Sequence, residues 1–362
     1  MKLAVVSRQL PEREGTSPGR VLLAWCEGAS AAGHEIEVWS WGPDAPQGDL
    51  PPWCTWKPLR RKGWLRTKSR ALVNPRTAVA TAGWEPFDGA VCVADDPLSF
   101  PAVAPFHPSV LTQHYLTRLD VHALERRQLR DVQDLRAEAR NGRRADVVLA
   151  YSDRVAAALQ VPAASVPIAY ATPTDPLTPT DDPVAVLLAD WRWPPNQRAL
   201  RLMLDAWPDV VERVPAAELV LAGRGLERDA AMGHRVRAIG PVPKAADALA
   251  LGNVFAFPCP ATSGPKVKVI EAMAFGLPVV TTPSGTEGVW AEPGRDLISV
   301  DEPAFGAALA ELLSDPERRA AVATAGRAAV VAAHDCVPAA NAKIDAIAAG
   351  LSRLATSERE TD

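Results

Sequence analysis

The chain has 362 residues, 48% of them hydrophobic and 23% charged, with a formal net charge of −4. That length suits two domains of ordinary size, each with its own core, and the absence of an apolar run near ~18 residues excludes a membrane-spanning helix. Five widely spaced cysteines without a Cys-x-x-Cys pair argue against a disulfide framework and a zinc site.

Met1-Lys2 leads straight into the apolar run Leu3 to Val6, which leaves no room for a signal peptide and predicts a cytoplasmic location. Further strands are predicted at Ile36 to Ser40, Ala90 to Val93, Val110 to Thr112 and Val147 to Ala150, alternating with helices such as Val21 to Ala32 and Leu124 to Asn141. This alternation predicts a doubly wound α/β domain over residues 1–170, a parallel sheet with helices on both faces. Ligands in such sheets bind beyond the carboxyl ends of the strands. Gly15 and Thr16, in the turn after the first strand, and His114, just after Val110 to Thr112, occupy such ends. The ordinary reading of His114 is a loop histidine with a satisfied hydrogen bond. Asp95-Asp96-Pro97 also ends a strand, and there an Asx turn is favoured over a pair of hydroxyl-binding carboxylates.

Between Pro51 and Trp84 stand eight basic residues and no acidic one, interleaved with Trp53, Trp56 and Trp64. Arg60, Arg61, Lys62, Trp64 and Arg66 are candidates for contact with an anionic membrane surface, which would make the protein peripheral at the inner face of the cell membrane. A solvated basic face is the equal alternative. Nucleic acid is not expected of an acidic chain with no nucleic-acid motif.

Residues 171–183 are proline-rich and poor in apolar side chains, as in an extended linker. A second Rossmann-like domain is predicted over 184–337, followed by a C-terminal helix and tail over 338–362, the helix running from Ala339 to Leu354. Within that second domain, Ser263-Gly264-Pro265 interrupts regular structure, Val267 to Phe275 suits a buried helix, Gly276 its left-handed cap, and Val279 to Thr282 a short strand. The helix start, flanked by Lys266 and Lys268, favours a diphosphate, and Glu271 one turn on can accept from two vicinal ribose hydroxyls.

The segment Lys266-Val267-Lys268-Val269-Ile270-Glu271, followed by Ala272-Met273-Ala274-Phe275-Gly276-Leu277-Pro278-Val279-Val280, resembles the donor motif of the retaining GT-B glycosyltransferases of family 4. Glu271 matches the second glutamate of that motif, and Ser263 stands where the first would be. A sub-group of the family has a small-residue loop followed by Lys-x-Lys-x-x-Glu-Ala, and this chain is similar to it. Trp191-Arg192-Trp193-Pro194-Pro195-Asn196 resembles the sub-group's Trp-x-Pro-Asn turn. The family's usual basic phosphate clamp falls on Asp190 and Asn196, leaving Arg192, Lys266 and Lys268 as substitutes. Glu218 to Gly225 and Ile239-Gly240-Pro241-Val242 resemble further strands of the donor domain, Val242 beside the nucleotide base.

The resemblance implies two domains facing a cleft, with the C-terminal helix crossing back to the first. It also implies transfer of a sugar from a nucleoside-diphosphate donor to an acceptor hydroxyl, with retention and without a metal. His114 and Lys268 are then the catalytic candidates. Glu271, Lys266, Arg192, Asn196, Ser263, Gly264 and Val242 are donor contacts. The loop with Gly15 and Thr16 lines the acceptor or the pyrophosphate side of the cleft, an ordinary flexible loop being the even alternative, and the acceptor is a glycan, a lipid-linked sugar or a natural product. Two other readings stay open: a nucleotide-sugar epimerase of the same architecture, and a catalytically degenerate partner subunit of a transferase, motivated by Ser263, Asp190 and Asn196.

Overall fold

A computed structural model describes residues 1–13, 16–40, 51–52, 54–59, 85–120, 135, 138, 140–178 and 182–361. Gly15, the basic candidates Arg60, Arg61, Lys62, Trp64 and Arg66, and most of the helix expected over Leu124 to Asn141 lie outside these residues.

In chain order the first elements are β1 (Lys2–Ser7), α1 (Ser17–Ala31), β2 (Glu35–Ser40), β3 (Thr55–Pro58) and β4 (Val91–Ala94). They are followed by α2 (Phe100–Val103), β5 (Ser109–Gln113), α3 (Thr117–Asp120), β6 (Val147–Ala150), α4 (Asp153–Ala158) and β7 (Ala164–Ser165). Next come β8 (Val184–Leu188), α5 (Pro194–Arg213), β9 (Glu218–Ala222), β10 (Val236–Gly240), α6 (Ala245–Leu249), β11 (Val254–Phe257) and α7 (Val267–Ala274). The chain ends with β12 (Val279–Thr281), β13 (Ile298–Ser299), α8 (Phe305–Ser314), α9 (Pro316–His334) and α10 (Cys336–Thr361).

These elements form two compact units. One holds β1 through β7 and takes back α10, with the chain leaving it after Ala171 and re-entering at Asp335; the other holds β8 through α9. The first sheet has the order β3-β2-β1-β4-β5-β6-β7 and the second β10-β9-β8-β11-β12-β13, both wholly parallel. Two-sided burial explains the unbroken apolar runs: Leu3, Ala4, Val5 and Val6 in β1 are inaccessible, as are Leu219, Val220, Leu221 and Ala222 in β9. Each sheet starts in an interior strand, winds outward, then reverses. The reversal lies between β1 and β4 in one unit and between β8 and β11 in the other, where diverging loops open a crevice at the carboxyl ends.

The last helix departs from expectation at both ends, running on past Leu354 to Thr361. It begins at Cys336, not after Pro338, because a proline in the first turn occupies a position whose N–H has no intrahelical acceptor. Its buried face, Ala339, Ala340, Lys343, Ile344 and Ile347, packs on α1 and β6. The approach to α1 is close enough that a Cβ on Gly28 would fall 1.7 Å from the carbonyl oxygen of Cys336. Gly276 adopts φ 84° and ends α7, its N–H and that of Leu277 donating to the carbonyls of Met273 and Ala272.

Candidate active site

In the second unit the residues that matter gather where β8 and β11 part. Two side chains, from the last residue of β12 and the one after it, pin the loop that leaves β11. The Thr281 hydroxyl donates to the Phe257 carbonyl and that of Thr282 to the Cys259 carbonyl, both at 2.6 Å. Gly264, at φ 84°, turns the chain towards α7. Its N–H donates to Glu287 Oε1 at 2.8 Å, and the Lys266 N–H donates to the Glu287 carbonyl at 3.2 Å. Lys266 is itself buried, and its ammonium folds back to the carbonyls of Thr262 (3.2 Å) and Gly264 (2.5 Å). Lys266 and Glu287 therefore brace the loop. Ser263 is buried within it.

Lys268, in the first turn of α7, points elsewhere. Its Nζ donates to Asn196 Oδ1 at 2.7 Å and lies 4.3 Å from the centroid of the Phe257 ring, at the end of β11. Asn196, buried in the first turn of α5, donates in turn to the Asp190 carbonyl at 2.8 Å. One amide thus ties the end of β8 to the ammonium on α7. Burial lowers the Lys268 pKa to about 8; nearby Lys266 pushes the same way, and Cys259, Glu271 and Asp190 oppose it. Glu271, buried and one turn further along α7, stands beside this ammonium.

Arg192 is exposed and forks onto Asp190, Nε to Oδ1 at 2.8 Å and Nη2 to Oδ2 at 2.5 Å. That contact holds the Asp190 carboxyl below its ordinary range. Val242 lies half-buried in the loop after β10. Lys268, Asn196 and Glu271 are thus the predicted donor residues that converge, with Lys266 supporting their loop.

The first unit has its own constellation at the β1/β4 reversal. The Ser7 hydroxyl at the end of β1 donates to Asp95 Oδ2 at 3.0 Å, and His114 Nε2 lies 3.7 Å from Asp95 Oδ1. His114 also meets Tyr151 edge-on at 4.9 Å between centroids. Burial pushes the Asp95 carboxyl up, but His114, Lys343 and Ser7 together hold it below its ordinary value. His114 opens onto a pocket lined by Arg8, Asp96, Pro97, Gln113 and Tyr115. Asp96 organises the turn: Oδ1 accepts from the N–H groups of Leu98 and Ser99, Oδ2 from the Ser99 hydroxyl, and Arg8 Nε pairs with it at 2.8 Å. Thr16 is the N-cap of α1, accepting from the Gly19 N–H.

Two participants escape the sequence. Glu287 sits in a Gly-Thr-Glu-Gly run with no spacing that ties it to Gly264. Lys343 had a usable signal, since it falls with Ala340, Ile344 and Ile347 on the apolar stripe of the last helix.

An ammonium at a helix start, beside a buried carboxylate, at the switch point of a parallel sheet is suited to a phosphorylated ligand carrying vicinal hydroxyls. Comparison with known proteins bears on the same segment and on the fold. Residues 182–315 match the family model described as Glycosyl transferases group 1. That span contains every donor candidate named above. Over 146 residues the chain is 32% identical to the GDP-mannose-dependent monoacylated alpha-(1-6)-phosphatidylinositol monomannoside mannosyltransferase of Corynebacterium glutamicum; the match covers 36% of this chain and 38% of that relative. The whole fold is similar to sucrose-phosphate synthase from Thermosynechococcus elongatus, at 18% identity, TM-score 0.70 and full coverage of both chains. It is also similar to Anabaena HepE in complex with UDP and glucose, at 15% identity and TM-score 0.66, over 95% of this chain and 99% of that one. The two-unit α/β fold is thus that of the GT-B glycosyltransferases.

Among the described residues no three His, Cys, Asp or Glu side chains are arranged to hold a metal ion, and no helix is long and apolar enough to cross a membrane.

Proposed function

We propose that this protein is a glycosyltransferase that moves a sugar from a nucleoside diphosphate to an acceptor hydroxyl with retention of configuration, and without a metal or resident cofactor. The observation that carries the reading is the Lys268 ammonium, held by Asn196 at the start of α7 within the matched segment. When the glycosidic bond to the diphosphate breaks, negative charge develops on the leaving oxygen. A fixed cation and the first amides of a helix stabilise that charge most where it is greatest, in the transition state. Glu271 accepts the ribose hydroxyls in this reading, and His114 contacts the donor sugar. Retention rests on the resemblance of the Lys266 to Val280 segment to the family 4 donor motif.

GDP-mannose and UDP-glucose are the first donors to test, given the Corynebacterium relative and the UDP and glucose held by HepE. The decisive experiment is a calorimetric screen of nucleoside-diphosphate sugars against wild type and Lys268→Met. Failure of the wild type to bind any of them would remove the transferase and epimerase readings together. Binding without transfer to any acceptor would favour the partner-subunit reading, against which the intact Lys268–Asn196 pair speaks. A lipid-linked acceptor fits the tryptophan-rich basic stretch between Pro51 and Trp84 and the phosphatidylinositol acceptor of the relative. It requires wild type to sediment with acidic but not neutral vesicles, and to lose that association at high salt.

A further inference from the structure

The C-terminal helix α10 carries a lysine into the core of the first unit. Lys343 has no exposed surface; its Nζ donates to the Tyr151 hydroxyl at 3.1 Å and lies 3.9 Å from the centroid of the Trp25 ring. A buried cation is costly unless it is compensated, and two aromatic faces with one phenol do so only in part. The anion that completes the compensation is Asp95, whose charge favours the lysine's and is favoured by it. Asp95 accepts from Ser7 on one oxygen and turns the other towards His114, while the Tyr151 ring that receives Lys343 also packs edge-on against the imidazole.

We propose that Lys343 is a positioning residue for His114: its ammonium holds the Tyr151 hydroxyl at 3.1 Å, and the Tyr151 ring and the Asp95 carboxylate place the imidazole that opens onto the pocket. The inference rests on the reading of His114 as a sugar contact. An apolar side chain of similar length would fill the same space without desolvating a charge, so the effect on Asp95 is what sets lysine apart here. Among the described residues, the titratable groups around Nζ are Asp95 after β4, Tyr151 after β6 and Cys26 on α1, with His114 beyond Asp95. Burial pushes the Cys26 thiol and the Tyr151 phenol well above their ordinary ranges, so Asp95 is the anion near neutrality. Burial lowers Lys343 itself to about 8, so the cation is present at neutral pH and fades above it.

The test is Lys343→Met, read by NMR titration of the His114 imidazole, assigned through a His114→Gln control, and by steady-state kinetics. Without the cation, the Asp95 carboxyl, read through the imidazole beside it, should keep its proton to a higher pH. Turnover should fall ~10-fold with donor KM within about twofold, the mark of a group that orients a catalytic residue without binding substrate. Adding Lys343→Met to Asp95→Asn should produce no further shift, and Lys343→Arg should restore the wild-type titration. If the Met variant does not fold, Lys343→Gln keeps a donor for Tyr151, drops the charge and is read the same way. An unshifted His114 titration, or a shift that persists undiminished in the Asp95→Asn background, would overturn the proposal. Because the titration needs no turnover, a protein that transfers no sugar would sink the transferase reading and leave this one measurable.

Discussion

Lys268→Met is the substitution that most directly isolates chemistry from folding. Methionine keeps the unbranched stem against Phe257 and removes only the ammonium. Two opposing effects on stability follow. The Asn196 oxygen that accepts from Nζ at 2.7 Å loses its donor, a loss of about 1–3 kcal/mol for a buried acceptor. Against this, the ammonium titrates near 8 because burial disfavours its charge, and removing it relieves a penalty of about 1–3 kcal/mol once discounted for the residue's partial exposure. The melting temperature should therefore move little. Catalysis has no such offset. A charge-assisted hydrogen bond to the leaving diphosphate is worth about 1.5–3 kcal/mol, which predicts a fall in kcat of roughly 10- to 150-fold at saturating donor. Titration supplies an independent check: as pH rises through about 8 the ammonium is lost, so affinity for a nucleoside diphosphate should fall above that pH in wild type and stay flat in the variant. Binding is the better readout for this comparison, since Lys343 titrates in the same range and would enter turnover. A Lys268→Met enzyme that turns over within twofold of wild type, or one that loses affinity for the bare nucleoside as much as for the diphosphate, would refute the assignment.

Glu271→Gln should weaken donor binding by ~10-fold or more, as expected for a carboxylate that accepts from ribose hydroxyls in a dry site; unchanged affinity with an intact fold would make Glu271 a structural residue of α7. Gly28→Ala should lower the melting temperature by about 6–12 °C, because the new methyl would meet backbone atoms of Cys336 that no side-chain rotation can clear. A melting temperature within a degree or two of wild type, by calorimetry, would mean that α1 and α10 pack less closely than described.

The sheets were legible because their strands are buried on both faces and so are written as continuous apolar runs. Val147–Ala150 coincides with its prediction, and the other first-unit strands differ by at most one residue at either end, whereas the stretch Ile239 to Val242 starts three residues late for β10 and runs two past it. The short strands β3, β7 and β13 were not predicted. At two to four residues, with half-buried or exposed positions apart from Ile298, they carry neither an apolar run nor an alternation to read. The loop and helix from Gly264 to Gly276 were legible for a different reason, since each needs a particular residue: glycine at positive φ at both ends, and apolar residues between. The contacts that give the site its electrostatics were not. Lys268 reaches Asn196 across 72 positions and Lys343 reaches Tyr151 across 192, and no periodicity within an element encodes such a distance. What spacing can show is only that a charged side chain stands on a buried stripe, as Lys343 does.

The return of α10 to the first unit has a consequence for how the protein is made. A ribosome emits β1 through β7, then the whole of the second unit, and only then the helix whose Ala340, Ile344 and Ile347 complete the first unit's core. The second unit is contiguous from Thr172 to His334 and can close as soon as it emerges, while the first must wait with the α1 surface around Trp25 and Gly28 uncovered. The half that begins first is thus the last to receive its complete core, after an interval set by the time needed to translate the second unit and the final helix.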